Sequence, residues 1–97
     1  MAPSGPMDAS VAPGLRDQAA AWWDANPALR HIVVDLGAVS FIDSAGLGVL
    51  IGLLKRAAAR GGDVRLARPQ SAVRLVLEIT RVTRVFTIFP TVEEASA

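Results

Sequence analysis

Apolar residues recur at helical spacing near the start of the chain, over about Ala9 to Ala25. The stripe consists of Val11, Leu15, Ala19 and Trp22. We predict a helix here with Ser10 as its N-cap, ending at Asn26 because a residue before proline avoids helical geometry. Trp22 falls on the stripe and Trp23 beside it. One tryptophan should lie in the core and the other should cover surface or a sheet edge, since adjacent helix residues point in different directions.

Three further segments have the composition of strands. The continuous apolar run HIVVDL at 31–36 is typical of a strand buried on both faces. It is followed at 37–42 by GAVSFI, which predicts a turn and a short extended piece. DVRLA at 63–67 alternates in polarity, and RVFTIF at 84–89 is rich in β-branched and aromatic residues, so both predict strands.

Helical patterns separate these strands. One helix is predicted from about Ser44 to Arg60, with the glycine pair at 61–62 as its left-handed C-cap. Another follows Pro69 over about 70–79, and its apolar face carries Val73, Val76 and Leu77. Thr91 and Glu94 form a capping box at the head of the last segment, TVEEA, at 91–95. This alternation indicates an α/β domain with a mainly parallel sheet.

Length and composition limit the possible classes of protein. The chain has 97 residues, which suits a single domain over 1–97, and we expect residues 1–8, rich in proline and small residues, to be loose. The absence of cysteine excludes a disulfide framework and thiolate metal sites. The longest apolar run, LGVLIGLL, is too short to span a membrane. Basic residues concentrate after Leu50, but they are scattered singly without interleaved aromatics, which favours a solvated surface over a nucleic-acid interface.

Three glycines lie inside the predicted helix at 44–60, and each should weaken it by about 1 kcal/mol relative to alanine. On a helical wheel the buried stripe consists of Leu47, Leu50, Ile51, Leu54, Ala57 and Ala58. Gly48, Val49, Gly52 and Arg56 fall on the opposite face. Two of the three glycines therefore leave bare backbone beside an exposed valine, where another surface can approach closely.

Ser44 stands at the head of this helix beside Asp43. It can serve as an N-cap, with its hydroxyl accepting a hydrogen bond from a backbone N–H. A helix start also tolerates a phosphate, because free N–H groups and the helix dipole favour negative charge. Phosphorylation would add a charge of roughly −1.5 to −2 next to Asp43 and would repel a docked partner. The residues alone leave both roles open.

Enzymatic interpretations find weaker support. GLGVLIG has the spacing G-x-G-x-x-x-G, whereas a dinucleotide fingerprint needs G-x-G-x-x-G with an acid at the end of the next strand, and Asp63 stands at that strand's start. A nucleophile elbow needs glycine where Ile42 stands, and His31 is the only histidine available as a base. Asp35 and Asp43 alone make a poor metal site. No interpretation assembles a nucleophile, a base and an orienting group.

The segment HIVVDLGAVSFIDSAGLGVLIGLLKRAAARGGDVRLA closely resembles the STAS domain of bacterial anti-sigma-factor antagonists. That family's signature is an apolar strand ending in D-L, then F-I-D-S-x-G-L-G-x-L on a helix, then G-G before the next strand. The likeness continues through PQSAVRLVLEIT and RVFTIFPTVEEA and, less strongly, back to GPMDASVAPGL, so it covers about Gly5 to Ala95. It implies a small, mainly parallel or mixed sheet flanked by helices.

The resemblance implies partner switching. The unphosphorylated domain would bind an anti-sigma factor, which is often also a serine kinase of the histidine-kinase-like ATPase type, and phosphorylation of Ser44 would separate the pair. A metal-dependent serine phosphatase would restore binding. The domain itself would be cytoplasmic and no enzyme, with no cofactor, no metal and no direct contact with nucleic acid or membrane. The implied docking face consists of Asp8, Asp43, Ser44, Ala45, Gly46, Gly48, Val49, Gly52 and Arg56.

The sequence departs from the family pattern in two places. Only four residues precede Gly5, so we expect the family's N-terminal strands to be absent and one sheet edge to be open, which invites a homodimer through that edge. ITRV at 79–82 replaces the usual glycine-leucine turn, so Thr80 and Arg81 must make the turn with side chains present. An unphosphorylated STAS adaptor in a regulatory or transporter assembly, with Ser44 as a plain N-cap, is the main alternative, followed by a small nucleotide-binding domain.

Overall fold

The computed structural model describes all residues, 1–97, as five strands, four α-helices and one 3-10 turn. The strands are β1 (Gly5–Met7), β2 (His31–Asp35), β3 (Val39–Ile42), β4 (Asp63–Ala67) and β5 (Thr87–Phe89). The helices are α1 (Ala12–Ala25), α2 (Ser44–Ala59), α3 (Ser71–Ile79) and α4 (Val92–Ser96), and the 3-10 turn is Val82–Arg84. Every strand pair is parallel, in two sheets of order β1-β3 and β2-β4-β5. The predicted α/β class with a parallel sheet is confirmed.

The core lies between the strands and α2, which packs on β1, β3 and β4. Ile32 and Val34 of β2 point into it and are buried, whereas Val33 between them is half-buried. The prediction that β2 is buried on both faces is therefore wrong. The short helix α4 contacts β2, but at five residues it shields the second face of the strand incompletely.

Helix α1 begins later than predicted and turns a different face to the core. Its N-cap is Val11 rather than Ser10, and Pro13 sits in the first turn, where its missing N–H leaves no hydrogen bond unmade. Trp23 is 3% exposed and Trp22 is 40% exposed, so one tryptophan is buried as expected but it is not the one on the predicted stripe. The Arg60 guanidinium lies 4.2 Å from the Trp23 ring centroid and donates to the Asn26 carbonyl, which fixes the end of α1.

The N-terminal segment is better ordered than its composition suggests. Residues 5–7, predicted to be loose, form β1, and Met7 is 1% exposed. Pro6 is tolerated because β1 pairs on one side only, with β3. The Met1 ammonium donates to the Val33 carbonyl at 3.0 Å, and the Asp35 N–H donates to the Met1 carbonyl at 2.8 Å. Met1 thus lies along the edge of β2 that β4 leaves free.

The connection after α3 contains a strained residue and an extra turn. Arg81 has φ 62°, in the left-handed region, so this turn is made with a side chain present, as predicted. Strand β5 covers only 87–89, and the first half of the predicted strand at 84–89 is wrong. The Phe86 N–H donates to the Val82 carbonyl, and both side chains are buried. Their spacing of four is helical, but the apolar and β-branched composition of this segment is typical of a strand, so the sequence predicts a strand where the chain turns.

Candidate functional site

Two aspartates follow the carboxyl ends of the paired strands β1 and β3. Met7 lies opposite Ile42 in this parallel pair, so Asp8 and Asp43 leave the sheet at the same edge. The Asp43 N–H donates to the Met7 carbonyl at 3.2 Å, which ties the two ends together. Ser44 therefore begins α2 at an edge that carries two carboxylates.

Asp43, and not Ser44, is the N-cap of α2. Its Oδ1 accepts hydrogen bonds from the N–H groups of Ala45 at 2.9 Å and Gly46 at 3.1 Å. Ser44 is the first helical residue, is exposed, and its hydroxyl makes no hydrogen bond within the chain. Because the Asp43 carboxylate already accepts hydrogen bonds from free N–H groups of the first turn, the fold does not need the Ser44 hydroxyl as a cap.

Asp8 shapes the loop that leads from β1 into α1. Its Oδ1 accepts from the Ser10 hydroxyl at 2.6 Å and from the Ser10 N–H at 3.0 Å. Its carbonyl oxygen accepts from the N–H of Ala12 at 2.9 Å. The Ser10 hydroxyl bond holds the pKa of the Asp8 carboxyl below its usual value. Asp8 therefore helps to position α1 beside the start of α2.

The three glycines of α2 have three different surroundings. A Cβ on Gly46 would collide with the Met7 carbonyl oxygen and would lie 2.8 Å from Ile42 Cγ1. A Cβ on Gly48 would lie 3.2 Å from Arg16 Nη2, and a Cβ on Gly52 would meet nothing within 4 Å. Gly46 is buried and lets α2 approach β1, so it lies beneath the surface of the predicted docking face. Gly48 and Gly52 are half-buried.

The predicted exposed face of α2 is partly covered by α1. Val49 is 3% exposed, which contradicts its predicted exposure, because the helical wheel contained no information on α1. Leu47, Leu50 and Ala57 are buried as predicted, but Ile51 and Leu54 are half-buried and Ala58 is exposed. A groove of about 160 Å³ remains between the two helices. Its walls are Arg16, Ala19, Gly48, Val49, Gly52, Leu53 and Arg56.

Arg16 is the residue of this site that the sequence did not reveal. It lies on the α1 turn before Ala19, and both residues line the groove. Its exposed guanidinium, like that of Arg56, forms no ion pair and donates no hydrogen bond within the chain. The signal that could have found it is the spacing of three from Ala19, which places both residues on one side of α1.

The other carboxylates considered for chemistry are occupied elsewhere. Arg68 donates to both oxygens of Asp35, at 2.7 and 2.9 Å, and this bond holds the pKa of Asp35 below its usual value. His31 Nδ1 lies 2.7 Å from Asp63 Oδ1, and this hydrogen bond lowers the pKa of Asp63. The His31–Asp63 pair joins the starts of β2 and β4, and the Arg68–Asp35 pair joins the end of β2 to the residue after β4. No group of three or more potential metal ligands is present, and no helix has the length and apolar character needed to cross a membrane.

Comparisons with known proteins agree with this geometry. The family model of the STAS domain matches residues 1–95. A protein of Thermotoga neapolitana named as an anti-sigma factor antagonist is 37% identical over 70 residues, which cover 72% of this chain and 62% of that protein. The crystal structure of an anti-sigma factor antagonist from Thermotoga maritima superimposes with a TM-score of 0.86 at 29% identity, covering 97% of this chain and 80% of the other.

A second solved structure shows the same fold. The anti-sigma factor antagonist from Mycobacterium paratuberculosis has a TM-score of 0.83 at 28% identity and covers 97% of this chain and 78% of its own. The antagonists of this family are non-enzymatic regulators, in agreement with the prediction that the chain is not an enzyme. The match of the family model over nearly the whole chain, together with the fold, shows that the protein belongs to the STAS domain family.

Proposed function

We propose that this domain is an anti-sigma-factor antagonist that acts in the cytoplasm by partner switching. In the unphosphorylated state it binds an anti-sigma factor, and phosphorylation of Ser44 releases that partner. Family membership and the names of the relatives support this proposal. The match covers 62% of the Thermotoga neapolitana protein, so the function given in that protein's name is carried to this chain as a proposal.

The observation that carries the proposal is the division of roles between Asp43 and Ser44. Asp43 caps α2, and the exposed Ser44 hydroxyl is left without a partner in the chain. In the proposed reaction Ser44 Oγ forms a bond to the γ-phosphorus of ATP, while the bond from that phosphorus to the β–γ bridging oxygen breaks and ADP leaves. The hydroxyl proton passes to a base of the kinase. The helix start keeps its cap throughout.

The proposed docking face follows the exposed parts of the site. It consists of Asp8, Asp43, Ser44, Ala45, Gly48, Gly52 and Arg56, all exposed or half-buried. Gly46 and Val49 are buried beneath it and set its shape. A phosphate on Ser44 adds a charge of roughly −1.5 to −2 beside Asp43, where it occupies the contact area and repels a docked partner. A serine phosphatase restores the free hydroxyl.

The experiment uses Ser71 as a matched control for Ser44. Ser71 is also exposed and is also the first residue of a helix. The tagged full chain is isolated from its own cells as wild type, Ser44→Asp and Ser71→Asp, and partners are identified by peptide sequencing. We expect wild type and Ser71→Asp to retain a protein with a histidine-kinase-like ATPase domain, and Ser44→Asp to retain at least about tenfold less, a loss of about 1.4 kcal/mol.

Intact mass and peptide mapping of the same wild-type sample complete the test. We expect a phosphatase-sensitive phosphate on Ser44 and none on Ser71. Equal retention by all three proteins contradicts the switch, as does loss of the fold in Ser44→Asp. A chain that stays unmodified under several growth conditions supports the constitutive adaptor instead.

A further inference from the structure

We propose that the Arg16 guanidinium is the intramolecular counter-ion of a phosphate on Ser44. The inference rests on the proposed function, because it specifies what happens at the modified site. It adds a residue of α1 to the switch. Arg16 pairs with the phosphoryl oxygens and holds them against the groove between the two helices.

The position of Arg16 over α2 supports this pairing. Arg16 Nη2 lies 3.2 Å from the point that a Cβ on Gly48 would occupy. Cα–Cβ bonds of a helix tilt toward its N-terminus, so this point lies over the turn that begins at Ser44. Cβ positions four residues apart are about 5–6 Å from each other, so Nη2 is no more than about 9 Å from Ser44 Cβ. A phosphoryl group and the long arginine side chain readily close that gap.

The charges around Ser44 leave Arg16 as the available cation. Asp43 and Asp8 lie at the same sheet edge, and their carboxylates are engaged with the α2 cap and with Ser10. Arg16 forms no ion pair with Asp17 or with any other carboxylate. Arg56 lines the same groove, but it lies twelve residues beyond Ser44 along α2, or about 18 Å of helix.

The pairing changes how the switch acts on the docking face. A phosphate that is drawn toward Arg16 lies over the half-buried Gly48 rather than projecting into solvent. It therefore covers the bare backbone that a partner would contact. Partner release then comes from a blocked glycine as well as from charge repulsion.

The test compares two unpaired arginines of one groove in the full chain. Phosphoserine is installed at Ser44 during translation in wild type, Arg16→Gln, Arg16→Lys and the matched control Arg56→Gln. The second pKa of the phosphate is measured by 31P NMR. We expect Arg16→Gln to raise this pKa by about 0.2 to 0.7 pH units, the range that an exposed ion pair supplies, because the phosphate dianion loses its counter-ion. Arg16→Lys should fall between wild type and Arg16→Gln, and Arg56→Gln should match wild type.

A second signal reports on the arginine itself. Phosphorylation should shift the Arg16 Nε–H resonance and leave the Arg56 resonance unchanged. The pairing is excluded if Arg16→Gln leaves the phosphate pKa unchanged, or if Arg56→Gln changes it equally. Either result leaves the proposed function intact, since that function is judged by partner retention. Conversely, a partner that stays bound to the Ser44 phosphoprotein overturns the proposed function without affecting the measured pKa.

Discussion

Two helices of this domain, α2 and α3, begin with an exposed serine, but the surroundings of the two serines differ. Ser44 follows Asp43, whose carboxylate caps α2 by accepting hydrogen bonds from N–H groups of the first helical turn. Ser71 follows Gln70, which makes no cap bond and donates instead to the Gly37 carbonyl at 2.9 Å. The start of α3 is therefore held from outside the helix, by the loop after β2.

The difference shows why residue type and helix position do not define a site. Ser44 stands at the joint end of two parallel strands and at the head of a helix whose outer face has glycines at 48 and 52. Ser71 opens a helix with no glycine, whose inner face buries Val73 and Leu77. Only Ser44 combines a free hydroxyl with a low backbone surface beside it. This contrast yields predictions that run from the largest expected loss of stability to an expected gain.

The largest effect is expected where α2 meets β1. Gly46→Ala places a Cβ against the Met7 backbone carbonyl, which cannot move without breaking the β1–β3 pairing. We expect a loss of about 3 kcal/mol in the free energy of unfolding, which lowers Tm by more than about 10 °C in a domain of this size. Thermal unfolding followed by circular dichroism measures it. A Tm within about 2 °C of wild type would mean that α2 does not press on β1 as described.

The features around Ser44 differ in how far local sequence predicts them. Helix α2 is predicted at 44–60 and covers Ser44–Ala59, and Gly61, which follows the C-cap Arg60, has a left-handed φ of 76°, because caps and apolar spacing are local signals. Asp43 and Ser44 are equally good N-cap residues, so the sequence could not choose between them. The pairing of Met7 with Ile42 decides the choice, since it ends β3 at Ile42.

Long-range contacts account for what the sequence did not show. Strand β1 has three residues, one of them proline, and its partners lie more than thirty positions away, so it leaves no periodic signal. The stripe of α1 is defined partly by alanines, Ala12 and Ala19, and small residues mark a buried face poorly. The helical wheel of α2 contains no information on α1, so the burial of Val49 beneath that helix could not be foreseen.

The intermediate effect compares the cap of α2 with the ion pair that joins the end of β2 to the segment before α3, by replacing each aspartate with its neutral analogue. Asp43→Asn should cost only a few tenths of a kcal/mol at pH 7, because asparagine caps helices nearly as well as aspartate. Asp35→Asn removes the ion pair to Arg68 in the segment before α3 and should cost about 0.5–1 kcal/mol at pH 7. Urea unfolding of both variants measures the costs.

The pH dependence of the Asp35→Asn effect follows from the pKa of Asp35. Its folded-state pKa is lowered by the Arg68 hydrogen bond, so the carboxylate stabilises the fold above its unfolded pKa, about 3.9. That contribution is lost as the pH falls through the folded-state pKa. We therefore expect the difference between wild type and Asp35→Asn to be complete at pH 7 and to vanish well below pH 4. A difference that persists undiminished at low pH would show that packing, and not the ion pair, holds this segment.

The remaining prediction is a gain in stability at Gly52, and it is the sharpest test of why the glycines are there. A Cβ on Gly52 meets nothing within 4 Å, so Gly52→Ala should stabilise the domain by about 0.5–1 kcal/mol through helix propensity and a restricted unfolded chain. The same methyl group raises the docking face and should weaken partner retention in the pull-down described above. Greater stability with unchanged retention would show that this glycine is merely tolerated. Greater stability with weaker retention would show that the helix gives up stability at Gly52 to keep its surface low for a partner.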